Sequence, residues 1–282
     1  MFEHLKKHGY QIFEKVLNED EISEYKREFF KWYNNAPSVK ILHPIIGVRG
    51  IFKHQEVAQQ RHAWLIRTNP KVRKIFEQLW ETNDLVVSQD GCCYIDKTCK
   101  KKDNIWTHTD QAPATKGSVC YQGFVSLTDN QERTFRVYDK SHLLHESYFQ
   151  DNDSKKNWNK IDEDTLKLMK KEKRVLKVPA GSLVLWDSRS FHQNQYGKPD
   201  SEERLVQYVC YLPRNNDKNT QAMNKKRRKY FEEKRTTSHW PYPIYVNGKQ
   251  PRTYGRDDLR IDYESLPSPQ LDDIMGEIQK LI

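Results

Sequence analysis

The chain has 282 residues, 36% hydrophobic and 12% aromatic, with a mean hydropathy of -0.97, a net charge of +9 and a pI near 9.1. That length allows one large domain or two small ones with a substantial core, and seven Trp and fifteen Tyr exclude a disordered composition. No apolar run approaches the ~20 residues that span a bilayer, and Met1-Phe-Glu-His4 lacks a signal-peptide core. Five cysteines without a Cys-x-x-Cys pair read as reduced thiols rather than a zinc site. The expectation is a soluble intracellular protein, cytoplasmic or nuclear, with no membrane span and a preference for anionic partners.

Residues 9–17 read as a strand, after which Asn18 is an N-cap with Glu21 completing a capping box and Leu17 and Ile22 forming a hydrophobic staple. Ile22, Tyr25, Phe29, Phe30 and Tyr33 then share one helical face. Ala36-Pro37 breaks the pattern, and a loop is expected around Gly47 and Gly50. Residues 55–66 read as helical, and Asn69-Pro70 opens a further helix carrying Val72, Ile75, Phe76, Leu79 and Trp80.

From Leu85 the character changes to short β-branched or aromatic runs at 85–88, 121–127, 133–138, 175–178, 183–186 and 205–212. A polar insert at 150–159 and a charged helix at 162–173 interrupt them. Beyond Pro213, residues 220–235 form a basic helix, and Pro269 opens a final amphipathic helix with Leu271, Ile274, Met275, Ile278 and Leu281. Neither an internal repeat nor a low-complexity linker is present. This order predicts a mainly β chain with flanking helices in a single domain: helices over 1–84, a β core over about 85–213, and a helical extension over 214–282.

The stretch Gly181-Ser-Leu-Val-Leu-Trp-Asp-Ser-Arg-Ser-Phe-His192 is a buried strand that delivers a histidine at its end. Upstream, Trp106-Thr-His108-Thr-Asp110 enters the strand region. In an extended segment residues two apart point the same way, so His108 and Asp110 can share one ion. With His192 they make two histidines and a carboxylate, the facial set of non-haem Fe(II) oxygenases, which leaves coordination positions for co-substrate and dioxygen. His54-Gln-Glu56 also spells a histidine two before a carboxylate, but ahead of a helix, where side chains two apart diverge. Arg204 opens the strand at 204–212, and a bidentate guanidinium at the mouth of a buried strand suits a carboxylate such as the far end of 2-oxoglutarate.

Taken together, Gly9-Tyr10 through Glu21, Trp106-Thr-His108-Thr-Asp110-Gln111, Tyr138-Asp-Lys-Ser-His142, Pro179 through His192, and Arg204 resemble the phytanoyl-CoA dioxygenase-like family of Fe(II)/2-oxoglutarate-dependent oxygenases, in family order over residues 9–212. The resemblance implies a double-stranded β-helix, a cupin-like jelly roll, with His108, Asp110 and His192 as catalytic iron ligands and Arg204 anchoring 2-oxoglutarate. Asn194 is expected beside that co-substrate, and Tyr94 and Gln122 are expected to help line the pocket. It further implies hydroxylation of a small or acyl-type substrate, with 2-oxoglutarate decarboxylated to succinate, dioxygen consumed and ascorbate as activator. Where the family carries an Asn-Gly-Gly-like turn, this chain has Gln131-Glu-Arg-Thr134.

Two alternatives stay open. The same chemistry could act on nucleic acid or protein, with Lys225, Lys226, Arg227, Arg228 and Lys229 gripping phosphate. Alternatively, the barrel could be an inactive basic binding module. Ser141-His142 reads as turn, and Lys97 to Lys102 as a basic loop ahead of the metal pair that could steer an anionic substrate.

Overall fold

A computed structural model describes residues 1–282, apart from the side chain of residue 37. In chain order the elements are α1 (Glu3–His8), β1 (Tyr10–Phe13), α2 (Glu19–Asn35), α3 (Pro37–Ile46), β2 (Ile51–Phe52), α4 (Arg61–Thr68), α5 (Pro70–Trp80), β3 (Leu85–Val87), β4 (Cys92–Ile95), β5 (His108–Thr109) and β6 (Tyr121–Ser126). They continue with β7 (Phe135–Tyr138), α6 (His145–Tyr148), β8 (Asn159–Lys160), α7 (Glu163–Leu168), β9 (Lys173–Val175), β10 (Leu183–Asp187), β11 (His192–Asn194), β12 (Arg204–Val209), β13 (Tyr211–Pro213), α8 (Gln221–Glu232) and α9 (Met275–Leu281).

These elements cluster into two compact units. One combines Met1–Glu14 with Ile95–Arg204, the other Lys15–Tyr94 with Leu205–Ile282. The division therefore falls inside the stretch expected as one β core.

In the first unit, β1, β10 and β6 lie side by side and antiparallel, with Trp186 facing Tyr10 on one flank and Gln122 on the other. A second sheet runs in the order β8-β5-β11-β7-β9. The sheets face each other through Phe124, Phe135 and Trp186, whose ring centroids lie 4.7–6.0 Å apart. Alternate residues of each strand thus line a shared interior. Gly9 ends α1 at φ +81, a left-handed conformation that favours glycine, and its Cα lies so near His142 and Ser190 that a Cβ would meet His142 Nδ1 at 2.5 Å.

The second unit is helical around two short strand groups, β12-β4-β2 and β13-β3. Asn18 caps α2 with the expected capping box, and Asn69 caps α5 by accepting from Lys71 N and Val72 N. Phe29, Trp32, Phe52 and His62 interlock beneath α2. Arg67 is fully buried and donates to the carbonyls of Ala58 and Asp90.

Several expectations are corrected. The break expected at Ala36-Pro37 only separates α2 from a further helix, α3, because Pro37 sits in the first turn, where its missing N–H costs nothing. The strand expected at 175–178 lies earlier, as β9, and Val178 makes only an isolated bridge to Asn130. The run 205–212 divides into β12 and β13. The insert at 150–159 is not wholly loop, since Asn159 pairs with Thr109. Pro269 does not open the last helix; a 3-10 turn at Asp272–Ile274 leads into α9. No described helix is long and apolar enough to cross a membrane.

Candidate metal centre

β5 and β11 pair antiparallel with His108 directly opposite His192. Residues opposed across such a ladder share a face, so both imidazoles project into the interior of the first unit, their ring centroids 4.4 Å apart. Asp110 follows β5 with its backbone N–H donating to Ser188 O at 2.9 Å, which fixes the chain as it leaves the strand. Its carboxylate oxygens lie 3.6 Å from His108 Nε2 and 3.3 Å from His192 Nε2. One donor atom from each of the three residues falls within 4.8 Å of the other two.

The tautomers follow from the backbone. His108 Nδ1 lies 3.1 Å from Trp106 O and His192 Nδ1 lies 2.9 Å from Ser190 O, so each Nδ1 carries the proton and donates it to a carbonyl. That leaves each Nε2 with its lone pair directed at Asp110, the arrangement a metal-ligating histidine needs. Burial pushes His108 down to about 4, against the upward pull of Asp110 and with a further downward push from His192. A neutral imidazole is the ligating form, so this environment favours metal over proton. The donor set fits a 2-His-1-carboxylate iron site.

Beyond His192 the same face carries Asn194, whose Oδ1 accepts from Arg204 Nη2 at 3.2 Å. Arg204 is 0% exposed, donates from Nη1 to Arg133 O at 3.3 Å and lies over the Phe124 ring. Its Nε is buried with no hydrogen-bond partner, and no carboxylate pairs with it among the described residues. A fully buried guanidinium held only by neutral groups is poised for an anion. His192, Asn194 and Arg204 therefore form a line from the metal donors to a cationic terminus. Gln122 sits on β6 two residues before Phe124 and opposite Trp186, and its amide nitrogen and oxygen are both buried without a partner.

The remaining candidates go elsewhere. Tyr94 packs in the second unit against Phe29, Phe30 and Tyr33. His54 Nδ1 lies 3.1 Å from Gly248 O, and Glu56 pairs with Lys234 at 3.4 Å. Of the basic cluster, Lys225, Lys226, Arg228 and Lys229 are exposed, but Arg227 is buried and its guanidinium is held by Asn219, Asn224 and Pro241 O. Gln131-Glu-Arg-Thr134 wraps Glu202, whose Oε1 accepts from three successive backbone N–H groups, while Arg133 turns inward to the carbonyls of Asp96, Lys97 and Cys99. Sequence reasoning passed over Trp158, which stacks on His108 at 5.4 Å opposite Trp106 at 4.7 Å. Its signal was a lone Trp in an otherwise polar insert.

No family model matches the chain. An Aspergillus versicolor protein named "Ava biosynthesis cluster protein O" is 30% identical over 190 residues, 61% of this chain and 61% of that protein. A Dictyostelium discoideum protein named "Putative phytanoyl-CoA dioxygenase" is 27% identical over 190 residues, 52% of each. The chain thus spans between half and three-fifths of the length of these curated relatives. Among solved structures, the non-haem α-ketoglutarate-dependent carbocyclase of nogalamycin biosynthesis superposes with a TM-score of 0.56 at 19% identity, covering 74% of this chain and 81% of that one. A hypothetical protein from Escherichia coli superposes with a TM-score of 0.69 at 14% identity over 98% of this chain and 80% of its own. The fold is that of the non-haem iron and 2-oxoglutarate oxygenases. Its jelly-roll type agrees with the mainly antiparallel β architecture, and in sequence the chain resembles phytanoyl-CoA dioxygenase-like proteins. Within that fold, His108, Asp110 and His192 form a group whose donor atoms could hold a metal ion.

Proposed function

We propose that this chain is an Fe(II)- and 2-oxoglutarate-dependent dioxygenase that hydroxylates a small organic substrate. The observation that carries the reading is the convergence of two Nε2 lone pairs and one carboxylate, each imidazole locked in its ligating tautomer by a backbone carbonyl. Iron with 2-oxoglutarate and dioxygen supplies substrate oxidation, with succinate and carbon dioxide released.

His108, Asp110 and His192 would hold the metal, all three buried in the first unit. Arg204 would take the distal carboxylate of 2-oxoglutarate as a charge-assisted pair, its Nε and Nη groups forming the fork. Asn194 orients that fork through its Oδ1. The unpartnered amide of Gln122 offers one donor and one acceptor to the bound co-substrate. Phe124, Phe135 and Trp186 wall the interior with apolar surface, which excludes water and strengthens each polar contact made there. A small-molecule substrate is supported by the company of the fold: one relative is named for a biosynthesis cluster, and a structural neighbour acts in nogalamycin biosynthesis.

Succinate release from 2-oxoglutarate under air, with Fe(II) and ascorbate, tests the reading. Expected is slow substrate-independent turnover that His108→Ala and Arg204→Ala both abolish. Absence of both Fe(II) and 2-oxoglutarate binding under anaerobic calorimetry overturns it.

A further inference from the structure

The insert at 150–159 returns to the first unit as a strap laid beside the strand that carries His108. Asn159 and Lys160 pair with Thr109 and His108, Ile161 N donates to Thr107 O at 2.9 Å, and Ala114 N donates to Ser154 O at 3.2 Å. Asn159 Nδ2 adds donations to Lys156 O at 2.8 Å and Asn157 O at 3.0 Å. The strap is therefore anchored on both sides of Trp158 by main-chain bonds.

Because Lys160 opposes His108 in the ladder, the two side chains leave the same face, and Trp158, two residues earlier, leaves it too. One face of the Trp158 indole covers His108 with an interplanar angle of 29°. Yet the residue remains 50% exposed, so a large apolar surface stays open to solvent directly beside the metal donors. Lys155, Lys156 and Lys160 are all exposed, and none has a carboxylate partner among the described residues. The strap's own acids, Asp151 and Asp153, lie at its far end, ahead of Ser154.

We propose that Trp158 and Lys160 form the substrate platform of this site and select a planar, anionic small molecule, whose ring system stacks on the open indole face while its acid group meets the Lys160 ammonium. The proposal rests on the reading of His108, Asp110 and His192 as the reacting centre. A tryptophan face is a good stacking surface for a conjugated ring, and a lysine on the same face adds a charge that a neutral analogue cannot use. The arrangement sets specificity without touching the metal.

The test is calorimetric titration of metal-free protein with 2-naphthoate, 2-naphthalenemethanol and cyclohexanecarboxylate as probes. Wild type should bind 2-naphthoate most tightly and cyclohexanecarboxylate least. Trp158→Ala should weaken 2-naphthoate by about tenfold, whereas Trp158→Phe, which keeps an aromatic face, should stay within about threefold. Lys160→Gln should weaken 2-naphthoate by about threefold and leave 2-naphthalenemethanol unchanged. No binding of 2-naphthoate to wild type, equal binding by Trp158→Ala and Trp158→Phe, or equal sensitivity of the acid and the alcohol to Lys160→Gln would each overturn the proposal. Since no metal is added, failure here leaves the oxygenase reading standing, and failure of Fe(II) and 2-oxoglutarate binding in wild type is read separately.

Discussion

Two stretches of this chain place a histidine two residues before a carboxylate, and they end in different chemistry. At His108-Thr-Asp110 the backbone enters as a strand, both side chains leave one face, and β11 brings His192 opposite as the third donor. At His54-Gln-Glu56, Gln55 and Glu56 take φ of 61 and 59, left-handed values that turn the chain between the two groups. His54 then settles on a backbone carbonyl and Glu56 on a lysine. The two-residue spacing gathers donors for one ion where the backbone is extended and a β partner adds a third, and it does not do so at His54. Among the described residues, the only set that meets this condition is His108, Asp110 and His192.

The largest effect expected from this contrast is on metal binding. Asp110→Ala removes one of three donors and should lower Fe(II) affinity by more than about 100-fold, the upper end of what loss of a mere supporting group costs. Glu56→Ala should leave that affinity unchanged. Anaerobic Fe(II) titration followed calorimetrically reads both, and equal loss in the two variants would show that Asp110 has no special part in holding the ion. Next in size is the cationic terminus of the site. Arg204→Ala should weaken 2-oxoglutarate by roughly 30-fold or more, as truncating one member of a buried charge pair costs about 2 kcal/mol or above. Arg204→Lys should recover only part of this, since an ammonium cannot make the bidentate fork. Arg227, buried in the second unit on Asn219, Asn224 and Pro241 O, serves as the control: Arg227→Ala should lower the Tm and leave 2-oxoglutarate affinity alone.

The residues of this centre were readable in the sequence because each combined a chemical type with a local pattern. His108 and Asp110 carried the two-residue spacing, Arg204 opened a buried strand, and His192 followed an apolar run, although it does not end that strand: β10 stops at Asp187 and His192 opens β11 in the other sheet. Asn18 and Asn69 announced their helices for similar reasons, through side chains that bond the first turn. What escaped was set by distant partners. α3 follows a proline that reads as a break until its place in the first turn is known. β11 and β5 are three and two residues long, too short for any periodicity, and exist because they pair with each other and with β7 and β8. Trp158 gained its place from that pairing, and Arg227 left the basic cluster because Asn219 and Pro241 O receive it.

The second unit carries its own acid-sensitive group. His62 is fully buried between Phe29 and Trp32, and burial, with a smaller push from Arg67, lowers it to about 3. A histidine depressed below its ordinary 6.5 stabilises the fold above that value and loses the contribution as pH falls toward about 3. The loss should reach about 2 kcal/mol by pH 5. His62→Leu should flatten the dependence of urea-unfolding stability on pH between 6.5 and 5; an unchanged slope would show that other groups carry it.

The smallest effect is expected at Glu56. Burial raises its carboxyl above the ordinary range, and Lys234 only partly opposes this. A carboxylate raised in the fold is less content with its charge there than in the unfolded chain, so its ionisation subtracts from stability as pH rises past the unfolded value. Glu56→Gln removes that charge at the expense of one partly buried ion pair with Lys234. Stability at pH 7 should therefore hold or rise, by less than about 1 kcal/mol, and the variant should lose some of its gain on acidification. A clear destabilisation at neutral pH would mean that the Lys234 pair outweighs the burial of the charge. The carboxylate two residues after His54 would then be a structural anchor, whereas at Asp110 the same spacing is useful only because two imidazoles share the carboxylate.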